Sequence, residues 1–296
     1  MSRVAYVNGR YVPHRQARVH IEDRGYQFAD GVYEVIAVSG GALVDPGPHL
    51  DRLERSLREL RIAMPMTRAA LSCVIGETIR RNDVVDGIIY IQMTRGAAPR
   101  DHAFPARAET QVVMTSRRSK PHPRAYDEDG VKAITVPDIR WARCDIKSIS
   151  LLPNVLAKQS AREVGAYEAM FVAADGTVTE GSSTNAWIVT AAGELVTRAP
   201  TSEILSGITR SAVMDIAAEE GLRLVERPFS VTEAKAAREV FITSTTAFVM
   251  PVTQIDEAVI ANGKSGSISR KLRARYAAHM AAAGASVDGA SQRRTL

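Results

Sequence analysis

The first twelve residues of the chain follow the pattern of a β-hairpin. Residues 4–7 and 10–12 are β-rich runs, and an Asn8-Gly9 dipeptide separates them. Asn-Gly between two such runs is the strongest short-range signal for a hairpin, and a hairpin pairs its strands antiparallel. A chain that opens in this way does not have the fold of a regular βαβ array, in which parallel strands alternate with helices.

The remaining elements also favour an α+β fold. Strands are predicted at residues 32–38, 42–44, 88–94, 110–115, 131–136, 168–172, 185–189, 222–226 and 239–243. Helices are predicted at residues 50–60, 69–81, 154–163, 209–220 and 268–280. Short strands that follow one another, with the helices in separate groups, predict mixed or antiparallel sheets with helices packed beside them.

A proline-rich stretch divides the chain into two predicted domains. Ser-Lys-Pro-His-Pro at residues 119–123 interrupts both the helical and the strand periodicity. A chain of 296 residues is long enough for two domains, each with its own core. We predict an N-terminal α/β domain at residues 1–118, a linker at 119–125, a C-terminal domain at 126–282 and a disordered tail at 283–296.

Composition and charge exclude several functional classes. Two cysteines support neither a disulfide framework nor a cysteine zinc site, and no metal is expected. The first residues lack a signal peptide and no run is apolar enough for a membrane helix, so a cytoplasmic location without a membrane partner is expected. The net charge of +5 raises nucleic-acid binding as a competing class, but basic residues alternate with acidic ones, as in residues 51–55, which argues against it.

Candidate catalytic residues lie in polar segments at the ends of apolar runs. Lys147 lies within residues 141–148; most lysines in such turns are solvated, but a desolvated amine can form a Schiff base. Glu180 ends a short β run beside a glycine, and a turn or cap would explain it equally well. Arg100 and His102 lie in a loop after a strand, where a solvated basic loop is the alternative to a carboxylate clamp.

Two further segments suit an anion such as phosphate. Gly-Ile-Thr-Arg at residues 207–210 opens a predicted helix, and Thr-Ser-Thr-Thr at residues 243–246 follows a predicted strand. Free N–H groups at a helix start and clustered hydroxyls bind anions, although ordinary capping uses the same residues. Each segment alone leaves both uses open.

Seven motifs occur in the order typical of one enzyme family. They are EDRGYQFADGVYEV (22–35), HLDRL (49–53), TRGAAPRDHAFP (94–105), DIRWARCDIKSISLLPNVLAKQ (138–159), TEGSSTN (179–185), GITR (207–210) and TSTT (243–246). In these motifs the chain resembles the D-amino-acid aminotransferases, which belong to the class IV aminotransferases and bind pyridoxal 5'-phosphate (PLP). The resemblance implies a two-domain α+β fold of type IV with a C-terminal PLP-binding domain and the cofactor between the domains.

The resemblance also implies a role for each matching residue. Lys147 would form the Schiff base and move the proton of the substrate Cα, and Glu180 would bond the pyridine nitrogen, which an adjacent carboxylate keeps protonated. The implied cofactor contacts are Arg52, Lys147, Glu180, Ser183, Leu205, Ile208, Thr209 and Thr245. The implied ligands of the substrate α-carboxylate are Tyr33, Arg100 and His102, with His49 and Val35 as supporting residues.

The Arg-x-His pair determines the expected substrate. By resemblance, Arg100 and His102 separate the D-amino-acid enzymes from their branched-chain relatives, so we expect transfer from a D-alanine-like donor to 2-oxoglutarate, giving D-glutamate and a 2-oxo acid. The alternatives are a branched-chain or (R)-amine aminotransferase, or a lyase similar to the aminodeoxychorismate lyases, all of the same fold. A homodimer is implied by the resemblance, and a nucleic-acid partner is not expected.

Overall fold

The computed structural model describes residues 3–292, and the side chains as far as residue 285. The described chain forms two compact units. The first is built from the described parts of Met1–Lys120, Ile146–Ser150 and Met280–Leu296, and the second from Pro121–Asp145 and Leu151–His279. The division after Lys120 falls in the proline-rich stretch identified in the sequence.

Six strands of the first unit form an antiparallel sheet. They are β1 Val4–Val7, β2 Arg10–Pro13, β3 Gly31–Ser39, β4 Ala42–Leu43, β5 Gly87–Thr94 and β6 Gln111–Arg118. Their order across the sheet is β2-β1-β6-β5-β3-β4. The turn between the first two strands needs a left-handed backbone at Asn8 (φ 45°) and Gly9 (φ 87°), which these residue types tolerate best. The hairpin predicted at the start of the chain is confirmed, with Val7 paired to Arg10.

Three helices accompany this sheet. They are α1 Arg24–Phe28, α2 Pro46–Glu59 and α3 Arg68–Arg81. The leucine face of α2 is buried, because Leu50, Leu53 and Leu57 are each at most 4% exposed and share one core with Val32 and Ile36 of β3. Each fully buried leucine contributes about 1.5–3 kcal/mol. This packing holds α2 against β3, so polar side chains of α2 that face the strand occupy fixed positions.

Nine strands of the second unit form a mixed sheet. They are β7 Val131–Pro137, β8 Glu168–Val172, β9 Val178–Gly181, β10 Asn185–Val189, β11 Leu195–Thr197, β12 Leu224–Glu226, β13 Glu239–Ser244, β14 Phe248–Ile255 and β15 Ala258–Val259. Their order is β12-β11-β10-β13-β14-β7-β8-β9, and β15 pairs with β14. Three pairs are parallel, namely β11 with β12, β14 with β7 and β7 with β8. The predicted α+β class with mixed and antiparallel sheets is confirmed.

Five helices complete the described chain. They are α4 Ala125–Glu128, α5 Leu152–Glu163, α6 Ile208–Glu219, α7 Val231–Lys235 and α8 Ser267–Gln292. α6 packs on β13 through a buried face that includes Val213 and Ala217. Strand β14 was not predicted because it contains Pro251, and a residue without an N–H is rare in a central strand. In the structure Pro251 nevertheless pairs with Phe241 of β13. Within residues 3–292, no helix is both long and apolar enough to cross a membrane.

The structure differs from the predicted division of the chain at three places, and at one of them residues 280–282 belong to the first unit although they were predicted in the C-terminal domain. Residues 146–150 fall within the predicted C-terminal domain but belong to the first unit, because Ser148 bridges to Val32 of β3 and Ile146 joins the first core. The tail predicted to be disordered from residue 283 continues as α8 to Gln292, since its many alanines favour a helix. The last four residues of that tail lie outside the described chain.

Candidate active site

Lys147 lies in the short segment that runs beside β3. Its carbonyl accepts a hydrogen bond from the N–H of Tyr33 at 3.0 Å, and its own N–H donates to Ser56 Oγ of α2 at 3.3 Å. The side chain is half-buried, with Nζ 4.2 Å from the centre of the Tyr33 ring. Within residues 3–292, Nζ has no hydrogen bond or ion pair. The backbone of Lys147 is therefore fixed while its amine is available to a ligand.

A buried carboxylate, Glu34, lies in the middle of β3. His49 and Arg52 reach it from one face of α2, because residues three apart on a helix point the same way. Arg52 donates from Nε to Glu34 Oε2 at 3.0 Å and from Nη2 to Oε1 at 2.7 Å, and His49 Nδ1 lies 3.0 Å from Oε1. Burial alone raises the pKa of Glu34, but Arg52 and His49 hold that pKa far below its ordinary value. Glu34 is therefore a permanent anion.

His49 is neutral in this cluster. Burial lowers its pKa below the ordinary 6.5, and this effect outweighs the opposing influence of Glu34. A neutral imidazole can donate to the carboxylate only if its proton lies on Nδ1. The cluster thus consists of a carboxylate–guanidinium pair and an uncharged histidine.

We expect the stability of the protein to fall as the pH is lowered from about 7 to 4. The folded pKa values of His49 and Glu34 lie below the ordinary values of 6.5 and 4.5, so the unfolded chain binds protons that the folded chain does not. The two lowered pKa values contribute fully to the free energy of unfolding above about pH 6.5. As the pH falls, the contribution of His49 is lost first, and that of Glu34 is lost below about pH 4.5. Thermal unfolding at about pH 8 and about pH 5 should show a smaller drop in Tm for His49→Gln than for the wild type; equal drops would contradict the expectation.

Glu180 is a second buried carboxylate, at the end of β9. Its Oε2 accepts from Asn185 Nδ2 at 3.1 Å and from the N–H of Leu205 at 3.1 Å, and its Oε1 accepts from Arg140. The residue is 6% exposed. Donors on both oxygens set the orientation of the carboxylate and favour its charged form.

Arg140 connects Glu180 to a further carboxylate. Its Nη2 lies 2.7 Å from Asp138 Oδ2, and its guanidinium lies 4.5 Å from the centre of the Phe171 ring. Burial alone lowers the pKa of Arg140, but Asp138 and Glu180 raise it above its ordinary value. Arg140 is therefore always charged.

Burial also raises the pKa of the nearby Cys144 thiol to about 11, so this cysteine is not a thiolate nucleophile near neutral pH.

The N-terminus of α6 follows Leu205 closely. Asn185 donates to the Leu205 carbonyl at 2.9 Å, and a Cβ at Gly207 would lie only 2.0 Å from Asn185 Oδ1, so only glycine fits there. The N-cap residue of α6, Gly207, has no side chain with which to cap the helix. The first N–H groups of the helix, at Ile208 and Thr209, are among the donors that a helix leaves for an anion. Asn185 thus links Glu180 to this helix start.

The other predicted cofactor contacts lie at separate points of their units. Thr209 is buried, with Oγ1 3.3 Å from the hydroxyl of Tyr276. Thr245 is half-buried in the turn between β13 and β14. Ser183 is exposed and donates to Glu168 at 3.3 Å, and Val35 is half-buried in β3.

In the described part of the chain, no contact gathers the three predicted carboxylate ligands into one cluster. Tyr33 lies beside Lys147 and stacks on Tyr90 at 5.7 Å. Arg100 and His102 are exposed on the loop after β5. Within residues 3–292, no hydrogen bond or ring contact joins Tyr33 to either of them.

Several residues with a place in these clusters were not predicted, among them Glu34, Arg140 and Asn185. Glu34 could have been found, because a charged residue interrupts the apolar run of residues 32–38. Arg140 and Asn185 lie inside matching motifs, but nothing local marks them, since Arg140 acts on a carboxylate 40 residues away. Only the folded chain brings such partners together.

Comparison with known proteins places the chain among the aminotransferases. The family model for amino-transferase class IV matches residues 31–255. The D-alanine aminotransferase of Staphylococcus epidermidis is 42% identical over 268 residues, which cover 90% of this chain and 94% of that protein. The enzyme of the same name from Bacillus licheniformis is 43% identical over 266 residues, with 90% and 93% covered.

Solved structures give the same family. The branched-chain amino acid aminotransferase of Thermobaculum terrenum in its PLP form has a TM-score of 0.81 at 26% identity, with 95% of each chain covered. The branched-chain aminotransferase of Thermoproteus uzoniensis with norvaline has a TM-score of 0.84 at 28% identity, with 96% of each chain covered. The matched region contains both carboxylate clusters and Lys147, and the chain therefore belongs to the class IV aminotransferase family.

Proposed function

We propose that this chain is a PLP-dependent D-amino-acid transaminase, which moves the amino group of a D-alanine-like donor to 2-oxoglutarate and gives D-glutamate and a 2-oxo acid. Relatives named D-alanine aminotransferase, 39–43% identical over 90% of the chain, support this function. The observation that carries it is the amine of Lys147, which has a fixed backbone and, within the described residues, no hydrogen bond or ion pair. The purified protein should convert D-alanine and 2-oxoglutarate to pyruvate and D-glutamate. Formation of L-glutamate would contradict the proposal.

The donor and acceptor groups of the chain fit PLP. Lys147 offers a primary amine to the aldehyde carbon, and Glu180 offers an oriented anion to the pyridine nitrogen. The N–H groups of Ile208 and Thr209 and the hydroxyl of Thr245 suit the phosphate. When bound, the cofactor withdraws electrons from the substrate Cα as long as its ring nitrogen is protonated.

The chain's own residues control charge and proton movement. Arg140 and Asn185 hold Glu180 in one orientation, so its negative charge suits a single donor, the protonated pyridine nitrogen. We assign to the Nζ of Lys147 the role of the base that takes the proton from the substrate Cα. Arg52, which is already paired with Glu34, supplies a fixed cation on the side of α2 that faces β3.

A homodimer is part of this proposal. Arg100 and His102 are exposed, and neither contacts Tyr33 in the described chain. A second copy of the chain that covers this loop would enclose both side chains, as a carboxylate-binding pocket requires. The native mass should then be twice 32.1 kDa, which is about 64 kDa. The cytoplasmic location expected from the sequence stays a prediction.

Arg100→Ala is expected to weaken binding of D-alanine. Hydrogen bonds to a charged group contribute about 1.5–3 kcal/mol, which corresponds to a loss of about ten-fold to over a hundred-fold in affinity. Half-reaction kinetics with D-alanine and with isopropylamine, which has no carboxylate, would measure the difference. Isopropylamine should be affected far less.

A matched control is available on the same loop. Arg107 is also exposed, and Arg107→Ala should leave both substrates unaffected. If Arg100 of one subunit completes the pocket that contains Lys147 of the other, mixing Arg100→Ala subunits with Lys147→Ala subunits should restore some activity, because one pocket of the mixed dimer then has both residues. An equal loss for D-alanine and isopropylamine would show that Arg100 does not bind the carboxylate.

A branched-chain aminotransferase is the second candidate. It is favoured by the high TM-scores of the branched-chain structures, although their sequence identity is only 26–28%. D-alanine and L-leucine compared as donors with 2-oxoglutarate would decide between the two, since the D-amino-acid enzyme should prefer D-alanine. An (R)-amine aminotransferase would use isopropylamine at least as well as D-alanine, whereas the D-amino-acid enzyme should use it far more slowly, and a lyase would release product without 2-oxoglutarate.

A further inference from the structure

The loop of Arg100 and His102 is anchored by the short helix α1. Arg24, the first residue of α1, is 3% exposed. Its Nη1 donates to the carbonyl of Asp101 at 2.5 Å and its Nη2 to the carbonyl of His102 at 3.3 Å. One buried guanidinium therefore holds two consecutive peptide groups of an otherwise exposed loop.

The last residue of α1, Phe28, contacts the side chains of the same loop. Its ring centre lies 4.6 Å from Arg100 Cζ and 4.8 Å from Arg24 Cζ, and 5.4 Å from the ring centre of His102. A cation over an aromatic face is attracted by the ring quadrupole. Within residues 3–292, the side chains of Arg100 and His102 have no hydrogen bond or ion pair. Phe28 is thus the group that orients both.

Arg24 is itself held by the carboxylate of Asp30, which also binds a second buried arginine, Arg95. Asp30 Oδ2 accepts from Arg24 Nε at 2.8 Å and from Arg95 Nε at 2.7 Å. Arg95 also donates to the carbonyl of Leu60 at 2.7 Å. Burial alone raises the pKa of Asp30, but Arg95 and Arg24 hold that pKa below its ordinary value. The base of the loop is therefore a charged network with fixed geometry.

α1 is also fixed to the strand from which the loop leaves. Asp23 accepts the N–H of Gly25 at 2.8 Å and the hydroxyl of Thr94, the last residue of β5, at 2.9 Å. A Cβ at Gly25 would lie 2.2 Å from Thr94 Cγ2, so the helix could not approach β5 as closely with any other residue. α1 and the start of the loop therefore form one rigid support.

We propose that Arg24 and Phe28 are positioning residues that set the geometry of Arg100 and His102 and so determine the preference for substrates with an α-carboxylate. The inference rests on the proposed function of that loop. Two exposed side chains without other polar partners would sample many rotamers, and a displacement of about 1 Å at a substrate-binding group can cost a hundred-fold in rate. Holding the carbonyls through Arg24 and the side chains through Phe28 removes this freedom.

The test uses the holoenzyme and three variants. Phe28→Leu removes the ring but keeps an apolar side chain, and Arg24→Lys keeps the charge beside Asp30 but loses the fork that reaches two carbonyls. Tyr26→Leu is the matched control, because Tyr26 belongs to the same helix and is 77% exposed. In Phe28→Leu and Arg24→Lys, kcat/KM for the half-reaction with D-alanine should fall by between about ten-fold and a hundred-fold. The kcat/KM for the half-reaction with isopropylamine should fall by less than about two-fold. Tyr26→Leu should match the wild type with both substrates.

Two further measurements separate this inference from the proposed function. In the Arg100→Ala background, Phe28→Leu should cost less than about two-fold, because the group that it positions is absent. Hydrogen exchange of residues 99–103 should be faster in Phe28→Leu and Arg24→Lys than in the wild type. Equal losses for both substrates, full additivity with Arg100→Ala, or unchanged exchange would overturn the positioning role alone. Faster exchange with no loss for D-alanine would overturn the assigned role of the loop, and the inference with it.

Discussion

Lys147→Ala should abolish transamination. In the proposed function the variant loses both the amine assigned to the covalent link with the cofactor and the base assigned to the Cα proton, and general-base catalysis alone contributes up to about ten-thousand-fold. The fold should be retained, because only the backbone of Lys147 bonds to Tyr33 and Ser56. Cofactor should still bind without the covalent link, through the groups assigned to its phosphate.

Borohydride reduction followed by mass spectrometry would test the assignment directly. The cofactor should be found on the peptide that contains Lys147 in the wild type and on no peptide in the variant. Lys132→Ala is the control, because Lys132 is exposed and has no ion pair in the described chain. Cofactor attached to Lys158, whose amine already contacts Glu168 at 3.2 Å, would show that the assignment is wrong.

Glu180→Gln should slow turnover strongly while leaving the fold nearly intact. The amide has the same shape and can still accept from Asn185 or Leu205, but it lacks the charge that we propose keeps the ring nitrogen protonated. The loss of one charge-assisted hydrogen bond, about 1.5–3 kcal/mol, corresponds to about ten-fold to over a hundred-fold in rate. Arg140 would keep its pair with Asp138.

The half-reaction with D-alanine, followed by absorbance, would show whether the defect is chemical. Its rate should fall in Glu180→Gln while thermal unfolding stays close to that of the wild type. Glu257→Gln is the matched control, since Glu257 is an exposed carboxylate of the same unit. A half-reaction rate that equals the wild-type rate would remove Glu180 from the assigned role.

Much of the local structure could be predicted because its causes are local. The turn at Asn8-Gly9 follows from the backbone conformations that these two residues tolerate, and the buried face of α2 follows from leucines spaced three and four apart. The helix that follows Gly207 was predicted from the periodicity of residues 209–220, but the close approach of Gly207 to Asn185 was visible only in the structure. The tail was predicted wrongly, because Ala, Gly and Ser suggested disorder where the alanines extend α8 to Gln292.

The chemistry of the site depends on partners that are distant in the sequence. The motif that contains Lys147 was recognisable, but its membership in the first unit comes from hydrogen bonds and a bridge to β3, more than a hundred residues earlier. Glu34 stays an anion in its buried position because α2 packs against β3 and brings Arg52 to it. Arg140 likewise acquired its role through Glu180.

The sequence by itself determined most of the elements, the class of fold, the family and the residue types available for catalysis, because these depend on periodicity, turn chemistry and motif order. Only the tertiary structure decided which charges are buried together, that Phe28 and Arg24 support the loop of Arg100 and His102, and that this loop lies exposed. The physical reason is that pKa values and side-chain orientation depend on distances of a few ångströms between residues far apart in the chain, and local patterns carry no information about those distances.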